Sequence, residues 1–158
     1  EGPGHVPLNQ VRTQIQGIKR LTNNAPLYVL GPLCCDSAPG YDHIAGAIGG
    51  AMGVEAGVDF LCYLTPAEHL TLPDEADVRA GVMASRVAAH VGEVALGRPA
   101  AVAREAAMNA ARKALDWDAM HKAALDPQML EKRREDHKTE EVCAMCGKFC
   151  SVKMLRGH

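Results

Sequence analysis

The residues with the strongest local chemistry lie near the end of the chain. In Cys143-Ala144-Met145-Cys146-Gly147-Lys148-Phe149-Cys150, three thiols fall within eight residues. Three thiolates at that spacing can wrap one metal centre. Gly147 lets the backbone turn and bring N–H groups to sulfur. Two centres compete. A structural zinc ion takes four ligands, which would draw in His137 or His158. A [4Fe–4S] cluster on three cysteines leaves one iron without a protein ligand. That iron can take the amino and carboxylate groups of S-adenosylmethionine. Electron transfer then cleaves the sulfonium to a 5′-deoxyadenosyl radical, which is cofactor chemistry. The spacing alone leaves both centres open.

A second group of polar residues sits at three expected strand exits. The first holds Glu1 and His5. The second holds Cys34, Cys35, Asp36, Asp42 and His43, with Tyr28 in the strand before it. The third holds Glu68 and His69, with Cys62 and Tyr63 just upstream. Parallel α/β folds gather strand C-terminal ends on one face, where sites form. That logic brings two imidazoles and two carboxylates within reach of one another. His5 and His69 can then ligate a metal and leave positions open for water or substrate. Two unrelated surface histidines are the simpler reading of the spacing. Cys62 is either a thiol facing the site or a buried structural cysteine. Glu1 is either a substrate ligand or a solvated chain end. Cys34 and Cys35 read as two loop thiols, since adjacent cysteines make strained disulfides.

The elements that must position these groups follow from periodicity. Leu8, Val11, Ile15, Ile18 and Leu21 mark one helix face, with Pro7 at its start and Asn23-Asn24 at its end. Residues 26–30 and 58–64 read as short strands buried on both faces. A glycine-rich helix over 41–56 lies between them, its small residues suited to close packing against a sheet. A third helix starts near Asp74, with Val78, Val82, Val87, Val91 and Val94 as its core stripe. This is βα alternation with parallel strands, so the fold class is α/β. Beyond Pro99 two helices are expected, over 100–125 and 127–137. A polar stretch, 132–141, then leads to the cysteines and a mobile tail.

Composition narrows the partners. The chain has 158 residues, 47% apolar and 4% aromatic, with a formal charge of −2. There is no basic stripe, so nucleic acid is not an implied partner. No apolar run approaches the roughly 20 residues of a membrane span. The scattered cysteines and alanine-rich helices suit a reducing cytoplasm better than a disulfide scaffold. The start at Glu1, in what reads as a loop leaving a strand, suggests a fragment whose N-terminal portion is missing.

Several unusual blocks occur together in order. They are Glu1-Gly2-Pro3-Gly4-His5-Val6-Pro7, Gly31-Pro32-Leu33, Ala38-Pro39-Gly40-Tyr41-Asp42-His43-Ile44, Leu61-Cys62-Tyr63 and Thr65-Pro66-Ala67-Glu68-His69-Leu70. With residues 74–90 and the cysteine tail, they make the chain resemble the phosphomethylpyrimidine synthase family. The resemblance implies the last βα units of a (β/α)8 barrel over 1–98, a helical extension over 99–138 and a cluster-binding tail over 139–158. It implies a radical S-adenosylmethionine lyase of thiamine biosynthesis. Such an enzyme turns aminoimidazole ribotide into 4-amino-5-hydroxymethyl-2-methylpyrimidine phosphate and expels carbon monoxide and formate.

The resemblance also implies residue roles. Glu1 and Tyr28 contact the ribotide, His5 and His69 bind a divalent metal, usually zinc, and Cys143, Cys146 and Cys150 hold the [4Fe–4S] cluster. An electron donor and a homodimeric partner are implied as well. Our own addition is Cys62 as a catalytic thiol that returns a hydrogen atom to a substrate radical. Two departures stand out. Three residues separate Cys146 from Cys150, where many members have four, and Cys34-Cys35 replaces hydroxyl or apolar residues. The shorter gap resembles a branch common in anaerobes and archaea. A close relative, 5-hydroxybenzimidazole synthase, uses the same substrate and cofactors. A non-catalytic zinc or iron–sulfur module is the reading from a different class.

Overall fold

The computed structural model describes residues 1–156. By contact the chain divides into two compact units, Glu1–Arg98 and Pro99–His158. The first is α/β and holds five elements in order: α1 (Leu8–Leu21), β1 (Tyr28–Leu30), α2 (Asp42–Ala56), β2 (Phe60–Cys62) and α3 (Glu75–Ala95). The strands pair in parallel, with Tyr28 opposite Phe60, Val29 opposite Leu61 and Leu30 opposite Cys62. The second unit holds α4 (Pro99–Ala114), α5 (Trp117–Ala123), α6 (Pro127–Arg133) and α7 (Ser151–Arg156), with 3-10 turns at Glu135–His137 and Gly147–Phe149.

One face of the sheet is core. Val29 is fully buried and packs with Val6, Val11, Ile15, Leu27 and Val58. Helix α1 supplies Val11 and Ile15 to this cluster, while Leu8 and Leu21 at its ends stay exposed. The expected burial on both faces is not found. Tyr28 and Phe60 project from the opposite face and are 41% and 64% exposed. The reason is the period-2 geometry of a strand: alternate residues face opposite sides, and only one side is covered by helices here. The strands are also shorter than the apolar runs, because pairing extends over three residues in each.

Helix α3 corrects a second expectation. Its buried residues are Gly81, Ala88 and Gly92, while Val82, Val87 and Val91 are about half exposed. The valine stripe is therefore not its core face. Helix α2 approaches too closely for it: a Cβ on Gly92 would come within 2.6 Å of the Val54 Cβ. Close backbone approach selects the smallest side chains and leaves the valines on the flanks. Asp74 starts α3 as expected. It accepts from the Asp77 N–H at 2.8 Å, and the Asp77 carboxylate accepts from the Asp74 N–H at 3.1 Å.

In the second unit the single helix expected over 100–125 is two. Leu115 has φ +52°, which breaks the helical run. Asp116 then caps α5 by accepting from the Ala119 N–H at 2.9 Å. Asp126 caps α6 in the same way through the Met129 N–H, and Pro127 follows in the first turn. The tail contains a short helix, α7. Among the described residues, no helix is long and apolar enough to cross a membrane.

Candidate functional site

The first residues of the chain lie along β1 and so bring Glu1 and His5 to the sheet. Gly2 donates its N–H to the Tyr28 carbonyl at 2.7 Å, Leu33 to Gly4 at 2.8 Å and Val6 to Leu33 at 2.9 Å. A Cβ on Gly2 would meet Val29 Cγ1 at 2.8 Å, so the close approach depends on glycine.

The sequence-predicted residues form two groups in the first unit. The first is Glu1, Tyr28 and Cys62. Tyr28 lies one diagonal from Cys62 on the exposed sheet face, within reach across a parallel pair. The Tyr28 phenol is pushed up to about 12, chiefly by its hydrogen bond to Cys62, then by desolvation and by the negative fields of Cys62 and Glu1. The Cys62 thiol donates in turn to the Tyr63 carbonyl at 3.6 Å. Cys62 is partly exposed rather than buried.

The second group is built on the histidines. The rings of His5 and His69 lie 5.4 Å apart, centre to centre. They border a cleft of about 290 Å³ with Asp36, Pro39, Asp42 and Glu68. His5 Nδ1 is 2.7 Å from Asp36 Oδ1, and His69 Nδ1 is 2.9 Å from Asp42 Oδ2. The remaining nitrogen of each ring, Nε2, is left for other partners. Metal–nitrogen bonds of about 2.0–2.1 Å put two tetrahedrally ligating rings roughly 5.2 Å apart, close to the separation seen. The donor set therefore fits a divalent cation with two imidazole ligands. Sequence reasoning did not single out Asp36 and Asp42 as the histidines' partners. They lie 31 and 27 residues away in sequence, so no local spacing signals the pairing.

His69 has φ +61°, a left-handed conformation uncommon for a residue with a Cβ. It is held by a turn in which Leu70 and Thr71 both donate to the Ala67 carbonyl, at 2.9 and 3.0 Å. Cys34 and Cys35 are free thiols outside both groups. Cys34 donates to the Ala45 carbonyl at 3.3 Å, and burial pushes its thiol up. Cys35 pairs with the Ser37 hydroxyl at 3.4 Å.

The cysteine tail lies in the second unit. Cys143, Cys146 and Cys150 are all free thiols. The Cys143 thiol is held below its usual range, first by the Cys146 backbone N–H. Cys146 is pushed up by its hydrogen bond to Cys143 and by the fields of Cys143 and Cys150. The three sulfurs thus interact, and Cys143 already gathers the N–H donors that stabilise a thiolate. Gly147 takes φ +49° at the turn between the second and third. This donor chemistry fits an iron–sulfur cluster. His137, a possible fourth ligand for zinc, has its Nδ1 2.9 Å from Glu140 Oε1, which leaves its Nε2 for other partners. His158 lies outside the described residues. Among the described residues no three His, Cys, Asp or Glu side chains are already gathered in metal-holding geometry.

Comparison with known proteins agrees with this chemistry. Residues 1–157 match the Radical SAM ThiC family. A protein of Syntrophotalea carbinolica named phosphomethylpyrimidine synthase 2 is 53% identical over 98% of this chain. Phosphomethylpyrimidine synthases of Desulforamulus reducens and Dehalococcoides mccartyi are 55% and 53% identical over 98% and 100% of it. The chain spans only 36–37% of the length of these relatives. Radical SAM membership carries with it an iron–sulfur cluster and S-adenosylmethionine, in accord with the three-cysteine tail. The chain belongs to the Radical SAM ThiC family.

Proposed function

We propose that this chain is part of a phosphomethylpyrimidine synthase, the radical lyase that makes the thiamine pyrimidine from aminoimidazole ribotide. The observation that carries the reading is the 53–55% identity to enzymes of that name across nearly the whole chain, with Tyr28 and Cys62 together on one open sheet face. Residues 1–98 are read as the last βα units of a (β/α)8 barrel. The exposed face with Tyr28, Phe60 and Cys62 then becomes the barrel interior. Residues 99–138 are the helical extension and 139–158 the cluster tail. The protein acts as a cytoplasmic homodimer and takes its electron from a separate donor.

When bound, the cluster and S-adenosylmethionine supply a 5′-deoxyadenosyl radical. Cys143, Cys146 and Cys150 hold the cluster. His5 and His69 hold a divalent metal, zinc in the first instance. The Glu1 carboxylate takes a hydroxyl or amino hydrogen of the ribotide, and the Tyr28 phenol donates to it. With its pKa pushed up to about 12, that phenol stays protonated and serves as a donor throughout the neutral range. Cys62 gives its S–H hydrogen atom to a carbon radical of the substrate. A C–H bond forms, an S–H bond breaks and the unpaired electron is left on sulfur; one electron from the electron donor turns this thiyl into a thiolate, and a proton from water restores the thiol.

The whole polypeptide, reconstituted anaerobically with ribotide, S-adenosylmethionine and a strong reductant, tests the reading. Mass spectrometry should find the pyrimidine phosphate with carbon monoxide and formate. 5-Hydroxybenzimidazole as product would overturn the assignment in favour of that relative. A colourless, zinc-loaded protein with no turnover would overturn the enzyme reading altogether. Cys62→Ser should leave cluster assembly intact and cut turnover, and unchanged product yield rejects its role.

A further inference from the structure

We propose that Asp36 and Asp42 are positioning residues that hold His5 and His69 as Nδ1–H tautomers, keeping both Nε2 atoms free to ligate one divalent cation. This rests on the reading of the two histidines as metal ligands. An ionised carboxylate only accepts hydrogen bonds. The proton in each 2.7–2.9 Å contact therefore sits on Nδ1. A neutral imidazole then has its lone pair on Nε2, the atom that binds metal. A carboxylate behind a ligating histidine also fixes ring orientation and raises ligand basicity.

The two carboxylates reach their rings from different settings. Asp42 is 8% exposed and opens the first turn of α2, where the helix dipole favours an anion. Its side chain holds the His69 ring at 2.9 Å. A buried carboxylate is costly unless it is hydrogen-bonded, so the bond to His69 offsets the burial of Asp42 and fixes both side chains. Asp36 is 74% exposed and lies in the loop after β1. It pairs with His5 across 31 residues rather than with a sequence neighbour. Each histidine thus has its own carboxylate, Asp36 from the loop that follows β1 and Asp42 from the first turn of α2. The left-handed backbone of His69 turns its ring to the same cleft.

Two readouts on the whole, metal-free polypeptide test this. Long-range proton–nitrogen NMR of nitrogen-15 histidine protein, at a pH where imidazole is neutral, reports the tautomers. Cobalt(II) titration reports affinity through the d–d bands of nitrogen-ligated metal, read apart from the thiolate charge-transfer bands of the cysteine tail. Both histidines should be Nδ1–H in the unaltered protein. Asp36→Ala and Asp42→Ala should each release only their own partner's tautomer and weaken cobalt binding roughly 10–100-fold. Asp36→Asn, which keeps an acceptor oxygen, should preserve the His5 tautomer and lose less affinity. Since Asp42 is buried at a helix start, Asp36→Ala is the decisive variant if Asp42→Ala unfolds. Unchanged tautomers and unchanged cobalt affinity in Asp36→Ala would overturn the proposal. His5→Ala and His69→Ala separate the two layers: if they bind cobalt like the parent, the metal reading fails and takes the proposal's ligand half with it. If they abolish binding while the aspartate variants change nothing, only the positioning role fails.

Discussion

The guanidinium of Arg134 lies 3.4 Å from the centre of the Trp117 ring. The same guanidinium donates to the carbonyls of His137 and Glu140, both at 2.8 Å, while Trp117 Nε1 donates to the Glu141 carbonyl at 2.8 Å. One stacked pair thus ties the chain from 137 to 141 to α5, immediately before Cys143. Stacking alone is worth about 0.5–2 kcal/mol for a partly buried pair.

Arg134→Ala should therefore raise amide hydrogen exchange over residues 138–147 several-fold and lower the iron retained per chain after gel filtration. Arg134→Lys should rescue neither, because an ammonium lacks the planar fork that stacks and donates to two carbonyls at once. Exchange identical to the parent in both variants would show that the pair does not order the tail.

Tyr28 should titrate near the value of about 12 that its contact with Cys62 produces, against an ordinary value of about 10. Difference absorbance between the parent and Tyr28→Phe isolates it from Tyr41 and Tyr63. Cys62→Ala should bring the midpoint down, and Glu1→Gln should bring it down less. The sign for stability follows. A raised native value means the folded state holds the proton longer, so this contribution is full below pH ~10 and is lost as pH rises toward 12.

Asp59 ties β2 to α1. Its Oδ2 accepts from Lys19 Nζ and from the Leu27 N–H, both at 2.8 Å, and Lys19 above all holds the carboxyl below its usual range. A depressed native value stabilises the fold above the unfolded pKa of ~3.9 and is lost as pH falls through the native one. Asp59→Asn should cost about 1 kcal/mol at neutral pH, an amount kept small by solvent exposure. Urea melts at falling pH should show the parent and variant converge.

Gly49→Ala should destabilise by about 1–3 kcal/mol, although alanine is the better helix former. A Cβ there would run into the Pro32 carbonyl. Gly17 on α1 is the control, since a Cβ there meets nothing within 4 Å. Gly17→Ala should be neutral or stabilising by up to about 1 kcal/mol. Thermal melts of the two variants moving the same way would reject the packing account.

Much of this was legible in local pattern. Asp74, Asp126 and Pro127 announce helix starts because capping is a short-range interaction between near neighbours. The parallel βα order follows from apolar runs alternating with helical periods. The α3 face was misread because its valines carry a strong hydrophobic signal while its glycines carry none. Only the approach of α2 at Gly92, and of the chain at Tyr63-Leu64 at Gly81, makes these glycines the buried side. The break at Leu115 was equally silent, since a left-handed leucine has no sequence mark.

The three cysteines of the tail illustrate what the sequence by itself determined. Cys143, Cys146 and Cys150 are close in space because they are close in the chain, so their interaction needed no fold to bring it about. The upstream site is the opposite case. His5 and His69 are 64 positions apart by their numbers, and each is oriented by a carboxylate from yet another segment. Tertiary structure alone decided that Asp36 serves His5, that Asp42 serves His69, and that the two rings come within 5.4 Å. The physical reason is that side-chain chemistry is written residue by residue, whereas contacts across distant segments are set by how strands pair and helices pack.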